Sequence, residues 1–479
     1  MGPLLAQWME NLDQKGFYGQ KGVDNTAGIV DNCLNNYLDP FAMTSLFASG
    51  AEQILFPILV QLVVILISAR IMGYLVRFLG QPEVVGEIAA GLLLGPSFLG
   101  WWFPAFQAEL FPNIVEGVMP GVLPAILTII AQLGLLLLLF QVGLEFDFRH
   151  LKWSGRATFS ISATGIVLPF GLGLLLAWFI HDRVGVRQDG TVVDFLPFAL
   201  FMGTAMCITA LPILGRLMIE WGITRTRLAT ITISAAALDD AAGWIILATV
   251  AAIASSAFEP FRLIGMILAS VGFFFLMLFV VGPVIRNWLG RLLAQSGGEV
   301  SMVALAICLV MVFSSAIITS KIGIFAIFGA FIAGAVLSPL PGLREAVSRR
   351  LRDFTTAFFL PVFFAYTGLR TNIGSLNDWH LWGICALVLV CAIGGKLLGC
   401  LLAAKFSGYS WQEATLIGVL MNTRALMELI VINAGRDLGV LPDALFTMFV
   451  LMALITTVMT TPLFFLLNKG TEVEGARRV

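Results

Sequence analysis

Asp239 and Asp240 stand side by side inside TITISAAALDDAAGWIILATVAAIA, an apolar run long enough to cross a membrane. A carboxylate at bilayer depth costs roughly 2.5–3.5 kcal/mol on the insertion scale, and such groups face protein or water and mark ion or proton paths. Successive helical residues point about 100° apart. One carboxylate is therefore expected to face an ion cavity and the other a neighbouring helix. Two anions so placed need a cation nearby. Lys396 is the only lysine deep inside an apolar run, LVCAIGGKLLGCLLAA. Its mid-run position makes snorkelling to the interface difficult, and Gly394, Gly395 and Gly399 beside it allow close helix approach. It is expected to be the buried partner of a carboxylate. The chemistry open to such a group is the binding and release of an ion or a proton by whichever aspartate faces the cavity, and it needs no covalent step.

Two further runs carry polar interruptions. FMGTAMCITALPILGRL holds Gly203, Thr204, Thr209 and Pro212, and LIGVLMNTRALMELIV holds Gly418, Asn422, Thr423, Arg424 and Glu428. Hydroxyl and amide side chains can satisfy backbone groups freed where a membrane helix unwinds, and the freed carbonyls can coordinate a cation. Thr204, Asn422, Thr423, Arg424 and Glu428 are read as supports for these breaks. Thr209 is read as a cation ligand together with Asp240. Arg424 and Glu428, four apart, predict an ion pair on one helix face. Glu87 is read as solvated near the cytoplasmic end of its span, with a place lining the funnel as the alternative. His150, His181 and His380 are placed in loops and are not expected to relay protons.

The elements that hold these groups follow from composition. Of 479 residues, 59% are hydrophobic and 12% charged, against about 25% charged in soluble domains; mean hydropathy is +0.94. The bilayer is the solvent for most of the chain, and its 48 glycines suit close packing of membrane helices. A net charge of −1 gives no sign of a nucleic-acid partner. The six cysteines show no CxxC spacing. They are expected to pack as small core residues, and no cofactor is expected. Residues 1–53 form a polar extension without the basic start and short apolar run of a signal peptide.

A spanning helix needs about 20 mostly apolar residues. On that rule the chain reads as an all-α membrane protein of thirteen spans: 54–79, 83–100, 122–144, 154–180, 194–217, 226–253, 260–287, 299–319, 323–338, 351–369, 379–405, 411–434 and 442–467. Arg149, Lys152, Arg156, Arg216, Arg225, Arg227, Arg286, Arg291, Arg344, Arg349, Arg350, Arg352, Lys469, Arg477 and Arg478 then fall on one side. The positive-inside rule makes that side cytoplasmic. The N-terminus is expected outside and the tail, 468–479, inside. GEIAAGLLLGP (Gly86–Pro96) matches GAFIAGAVLSP (Gly329–Pro339), and FQVGLEFD (Phe140–Asp147) echoes FAYTGLRTN (Phe364–Asn372). Spans 1–6 (54–253) thus correspond to spans 8–13 (299–467), joined by a linker helix in 254–298. An odd number of spans separates equivalent helices, so the two six-helix repeats are inverted, with broken helices crossing at the midplane.

In chain order, GEIAAGLLLGP, VGLEFD, the Thr209 break, ALDDAAGW, PVFFAYTGL, GGKLLG and MNTRALMEL resemble the monovalent cation:proton antiporter-2 family over about residues 54–467. The resemblance implies exchange of sodium or potassium for protons, a homodimer, and a core domain that moves like an elevator. It makes Asp240 the ion- and proton-carrying aspartate, Asp239 its partner acid and Lys396 that acid's lysine, with Thr209 and Thr423 at the two breaks. Asp239 stands where the glutathione-gated potassium branch has glutamine. MNTRALMELIVINAGRDLGVL is similar to the plant and fungal branch. The leading expectation is electrogenic sodium:proton exchange in a bacterial inner membrane. Potassium:proton exchange, and an internal photosynthetic or organelle membrane, are the alternatives. A cation channel lacks a filter-like loop here, and adjacent aspartates do not supply the two-helix motif of an intramembrane protease.

Overall fold

A computed structural model of the chain describes residues 51–112, 121–145, 155–187, 190–223, 226–255, 260–296 and 299–468. The extension up to residue 50, the tail after residue 468, and the loop cations Arg149, Lys152 and Arg225 lie outside these residues. The described parts of Gln61–Leu110 and Leu127–Val479 form one compact unit, which holds the candidate site, and those of Met1–Val60 and Phe111–Ile126 form a second.

The described residues are helical, with a lone β-bridge between Val186 and Val192. The helices are α1 (Ala51–Phe78), α2 (Glu83–Leu94), α3 (Val122–Glu145), α4 (Arg156–Val184), α5 (Phe195–Cys207), α6 (Leu211–Glu220), α7 (Arg227–Ser255), α8 (Pro260–Leu276) and α9 (Gly282–Gln295). There follow α10 (Met302–Ile322), α11 (Ala326–Leu337), α12 (Leu343–Phe354), α13 (Leu360–Leu369), α14 (Trp379–Phe406), α15 (Trp411–Met421), α16 (Leu426–Asp437) and α17 (Asp443–Leu467). Short π-helical turns join α8 to α9 and α12 to α13.

Among the described residues ten helices, counting α5–α6 as one, are long and apolar enough to cross a membrane. The count is eleven if α15 and α16, bent by 42°, make one span. Two of the thirteen expected spans fall short of that test. Helix α11 has only 12 residues, about 18 Å at 1.5 Å per residue. In the α12–α13 helix the first half carries Arg344, Glu345, Arg349, Arg350, Arg352 and Asp353.

Glycines let two pairs of these helices touch backbone to backbone. A Cβ on Gly91 of α2 would overlap the Ala365 carbonyl of α13, and one on Gly368 of α13 would overlap the Ile88 carbonyl of α2. The same relation holds between Gly143 of α3 and Phe331 of α11, and between Gly334 of α11 and Phe140 of α3. Glu87 also lies on α2. It is 5% exposed, so the solvated reading gives way to a buried one.

Helix α4 packs against α14, α5 and α7, while α14 packs on α15 and α16 on α17. The α5–α6 segment is the most enclosed, 78% buried against 17% for α8–α9. The residues with chemistry are thus carried by the helices least exposed to lipid.

Candidate functional site

Two interruptions create the site. Helix α5 ends at Cys207 and α6 begins at Leu211, with Pro212 in its first turn; proline is tolerated there because those N–H groups have no intrahelical partner. Helix α15 ends at Met421 and α16 begins at Leu426. Between them Ala425 takes φ 133°, the one non-glycine residue with positive φ among the described residues. Such strain persists only where surrounding structure holds it. The two breaks are bonded to each other. The Ala210 amide donates to the Thr423 carbonyl at 3.0 Å, and the Thr209 hydroxyl lies 3.1 Å from the Met421 carbonyl.

The adjacent aspartates have opposite surroundings. Asp239 is fully engaged. Lys396 Nζ lies 2.6 Å from its Oδ2, the Thr209 hydroxyl 2.9 Å from the same atom, and Ser162 donates to Oδ1 at 2.5 Å. Lys396 also donates to the carbonyls of Gly165 at 2.9 Å and Cys207 at 2.6 Å, so its three donors meet three acceptors. Asp240 is 4% exposed, yet neither of its oxygens has a hydrogen-bond partner. Asp240 is thus a buried carboxylate whose oxygens are uncommitted, at the point where two helices unwind.

Three expectations change. Thr209 serves Asp239, not Asp240. A β-branched hydroxyl on the turn between α5 and α6 has a short fixed reach, and Asp239 is the acid on that side. Thr204 does not support the break. It lies inside α5 and bonds back to the Leu200 carbonyl at 2.6 Å, the ordinary i−4 bond of a helical threonine. Arg424 and Glu428 form no ion pair among the described residues. The helix restarts at Leu426, so Arg424 precedes it and the i,i+4 relation does not apply.

Arg424, fully buried, instead donates to Ala205 at 3.0 Å, Met206 at 2.6 Å and Ala392 at 3.2 Å. Together with the Lys396 bond to Cys207, it satisfies the last three carbonyls of α5, where the helix dipole is negative. Glu428 is buried with both oxygens unpartnered. Thr423 and Asn422 do sit in the second break. Thr423 meets Thr460 of α17 at 3.3 Å, the Asn422 amide reaches Met459 sulfur at 3.9 Å, and Thr457 donates to the Arg424 carbonyl at 2.7 Å. Ser162, Thr457 and Thr460 were not legible in the sequence, because hydroxyls within spans usually bond to their own helix.

Arg424→Gln is expected to lower stability by about 3–5 kcal/mol, because it leaves buried groups uncompensated. Arg424→Lys should recover only part, since an ammonium lacks the planar fork. Thermal unfolding of both variants checks this, and equal midpoints for wild type and Arg424→Gln would remove the capping role.

The pattern of the sodium/hydrogen exchanger transmembrane family matches residues 63–469. The chain belongs to the sodium/hydrogen exchanger family. The exchanger is 38% identical over 409 residues to the Na(+)/H(+) antiporter NhaS4 of Synechocystis sp., covering 85% of this chain and 96% of that one. It is 36% identical to Cation/H(+) antiporter 17 of Arabidopsis thaliana, over 85% of this chain and 48% of that one. It is 30% identical to the K(+)/H(+) antiporter 1 of Saccharomyces cerevisiae, over 88% of this chain and 47% of that one. The exchanger thus spans about half the length of those plant and yeast relatives. Its fold is similar to that of the sodium proton antiporter MjNhaP1 of Methanocaldococcus jannaschii, with TM-score 0.60, 16% identity, and coverage of 87% of this chain and 99% of that one. It is a multi-pass membrane protein, and these relatives are transporters.

Proposed function

We propose that the exchanger moves sodium one way and protons the other by competition at Asp240. One observation carries the reading. Of the two aspartates, Asp239 is saturated by Lys396, Thr209 and Ser162, whereas Asp240 is buried with both oxygens free. A free carboxylate can bind a proton or a cation, but not both. Carbonyls freed at the two breaks are the candidates for its further ligands.

The transport cycle follows from this placement. The broken helices pack with α4, α7, α14 and α17 as a core that carries the ion, and this core slides as an elevator. The paired glycine contacts of α2 with α13 and of α3 with α11 support inverted repeats 54–253 and 299–467 around a linker in 254–298, thirteen spans in all. A homodimer supplies the fixed frame, and the N-terminus lies outside. If Lys396 also releases a proton in each turnover, two protons move per cation and exchange is electrogenic. The K(+)/H(+) antiporter 1 relative and the plant-like MNTRALMEL segment favour potassium as the alternative cargo at the same site.

The test is exchange in vesicles with sodium, potassium and lithium in parallel, first with the membrane potential clamped at zero and then with one imposed. Activity should rise with pH and its midpoint should move to lower pH as cation concentration increases. A midpoint indifferent to the cation would sink competition at one carboxylate. A flux indifferent to the imposed potential would make the exchange electroneutral.

A further inference from the structure

A second unpaired polar group lies near Asp240 along α7. Trp244 lies one turn after Asp240 on α7, is 3% exposed, and its indole Nε1 has no hydrogen-bond partner. Residues four apart on a helix share a face, with Cβ atoms about 5–6 Å apart. Gly243 beside Trp244 packs against Ile208 in the first break, a Cβ there lying 3.2 Å from the Ile208 side chain. Asp240 and Gly243, three apart, share a face, so Asp240 lies on the side of α7 that meets the unwound segment, with Trp244 one turn on. The Trp244 ring stacks on Phe331 of α11, with centroids 5.6 Å apart and planes at 26°, and meets Phe328 edge-on at 5.5 Å. These rings hold the indole in place and wall the pocket with apolar surface. Buried indole N–H groups ordinarily find a partner.

We infer that Trp244 is a positioning residue for the exchanging carboxylate, its N–H holding the ionised Asp240, directly or through one water, in the orientation that receives the cation. This deepens the proposed function and rests on it. The N–H cannot ligate a cation. It donates to the carboxylate, the form that binds one, and no comparable bond is available once the carboxyl has taken a proton on that oxygen. The other charged groups acting on Asp240 are Asp239 on its own helix and Lys396 on α14. Both are committed to each other, and the indole is a side-chain donor on the helix face of Asp240 that is free to respond to cargo. The rings of α11 contribute by fixing the indole, so Phe328 and Phe331 act through Trp244.

The experiment is cation-driven exchange in vesicles of the full chain at one alkaline pH, with KM and kcat measured separately for wild type, Trp244→Phe and Trp244→His. Trp244→Phe keeps the ring packing and removes the N–H. It should raise the cation KM about 5- to 10-fold, the range for a lost hydrogen bond to a charged group shared with water, with the effect on KM and not on kcat. Trp244→His restores a ring N–H and should return KM to within about threefold of wild type. If Trp244→Phe fails to fold, benzothienylalanine at position 244 removes the N–H from an otherwise matched ring and should give the same shift. A wild-type KM in Trp244→Phe, or a loss confined to kcat, overturns the inference. Asp240→Asn run alongside separates the two failures. A dead Asp240→Asn with an unchanged Trp244→Phe KM removes the role of Trp244 alone, whereas an active Asp240→Asn removes the carboxylate on which both rest.

Discussion

Asp240→Asn is expected to abolish cation-driven proton movement in vesicles while leaving the protein folded. The amide has the same shape but neither takes up a proton at working pH nor offers a negative charge, so both halves of the competition vanish together. Neither oxygen of the native carboxylate has a hydrogen-bond partner in the structure, so the amide forfeits at most the indole contact inferred above. The variant should therefore unfold at a midpoint at or above that of wild type, since neutralising a buried unpaired charge removes a desolvation cost. Near-normal exchange by a well-folded Asp240→Asn protein would end the mechanism. A collapse in stability would instead mean that the carboxylate is held by contacts of its own.

Asp239 and Lys396 are expected to behave as one unit. Both side chains are fully buried and their charges lie 2.6 Å apart. Removing either strands the other, at a cost of about 3–5 kcal/mol. Asp239→Asn and Lys396→Gln should each lower the thermal midpoint, and the double variant should lose less than the sum. Recovery should be incomplete. The ammonium also holds the carbonyls of Gly165 and Cys207, and glutamine offers two donors where lysine offers three. A double variant whose losses simply add would show that the two charges do not depend on each other.

Helix existence and the positions of both breaks could be read from the chain because the causes are local. Apolar runs of spanning length, Pro212 just after a Cys-Ile-Thr-Ala segment, and Asn422-Thr423-Arg424 in the middle of a run each act within a few residues. The three ionisable residues buried at the heart of the site, Asp239, Asp240 and Lys396, were conspicuous for the same reason, since charge in such runs is costly wherever the helix packs. Span count was harder. Helix α11 has only 12 residues, too few for the apolar run it sits in to pass as a span, and the first half of the α12–α13 helix is charged.

Partner choice lay beyond any local rule. The sequence marks two adjacent aspartates and one lysine, but which acid the lysine takes depends on how α14 and α4 meet α7, and there Ser162 joins from a third helix. Arg424 looked like a partner for Glu428 while its run was treated as one helix. The break at Ala425 uncouples them, and the guanidinium goes to the carbonyls that end α5. Thr209 goes to Asp239 for a similar reason, because the unwound turn fixes the direction of a short side chain. What the sequence determined by itself was which residues must be buried and where the helices must stop. The tertiary structure decided which buried group satisfies which, because a hydrogen bond depends on distances set by helices far apart in the chain, and it left Asp240 with both oxygens unpartnered beside a fully engaged Asp239.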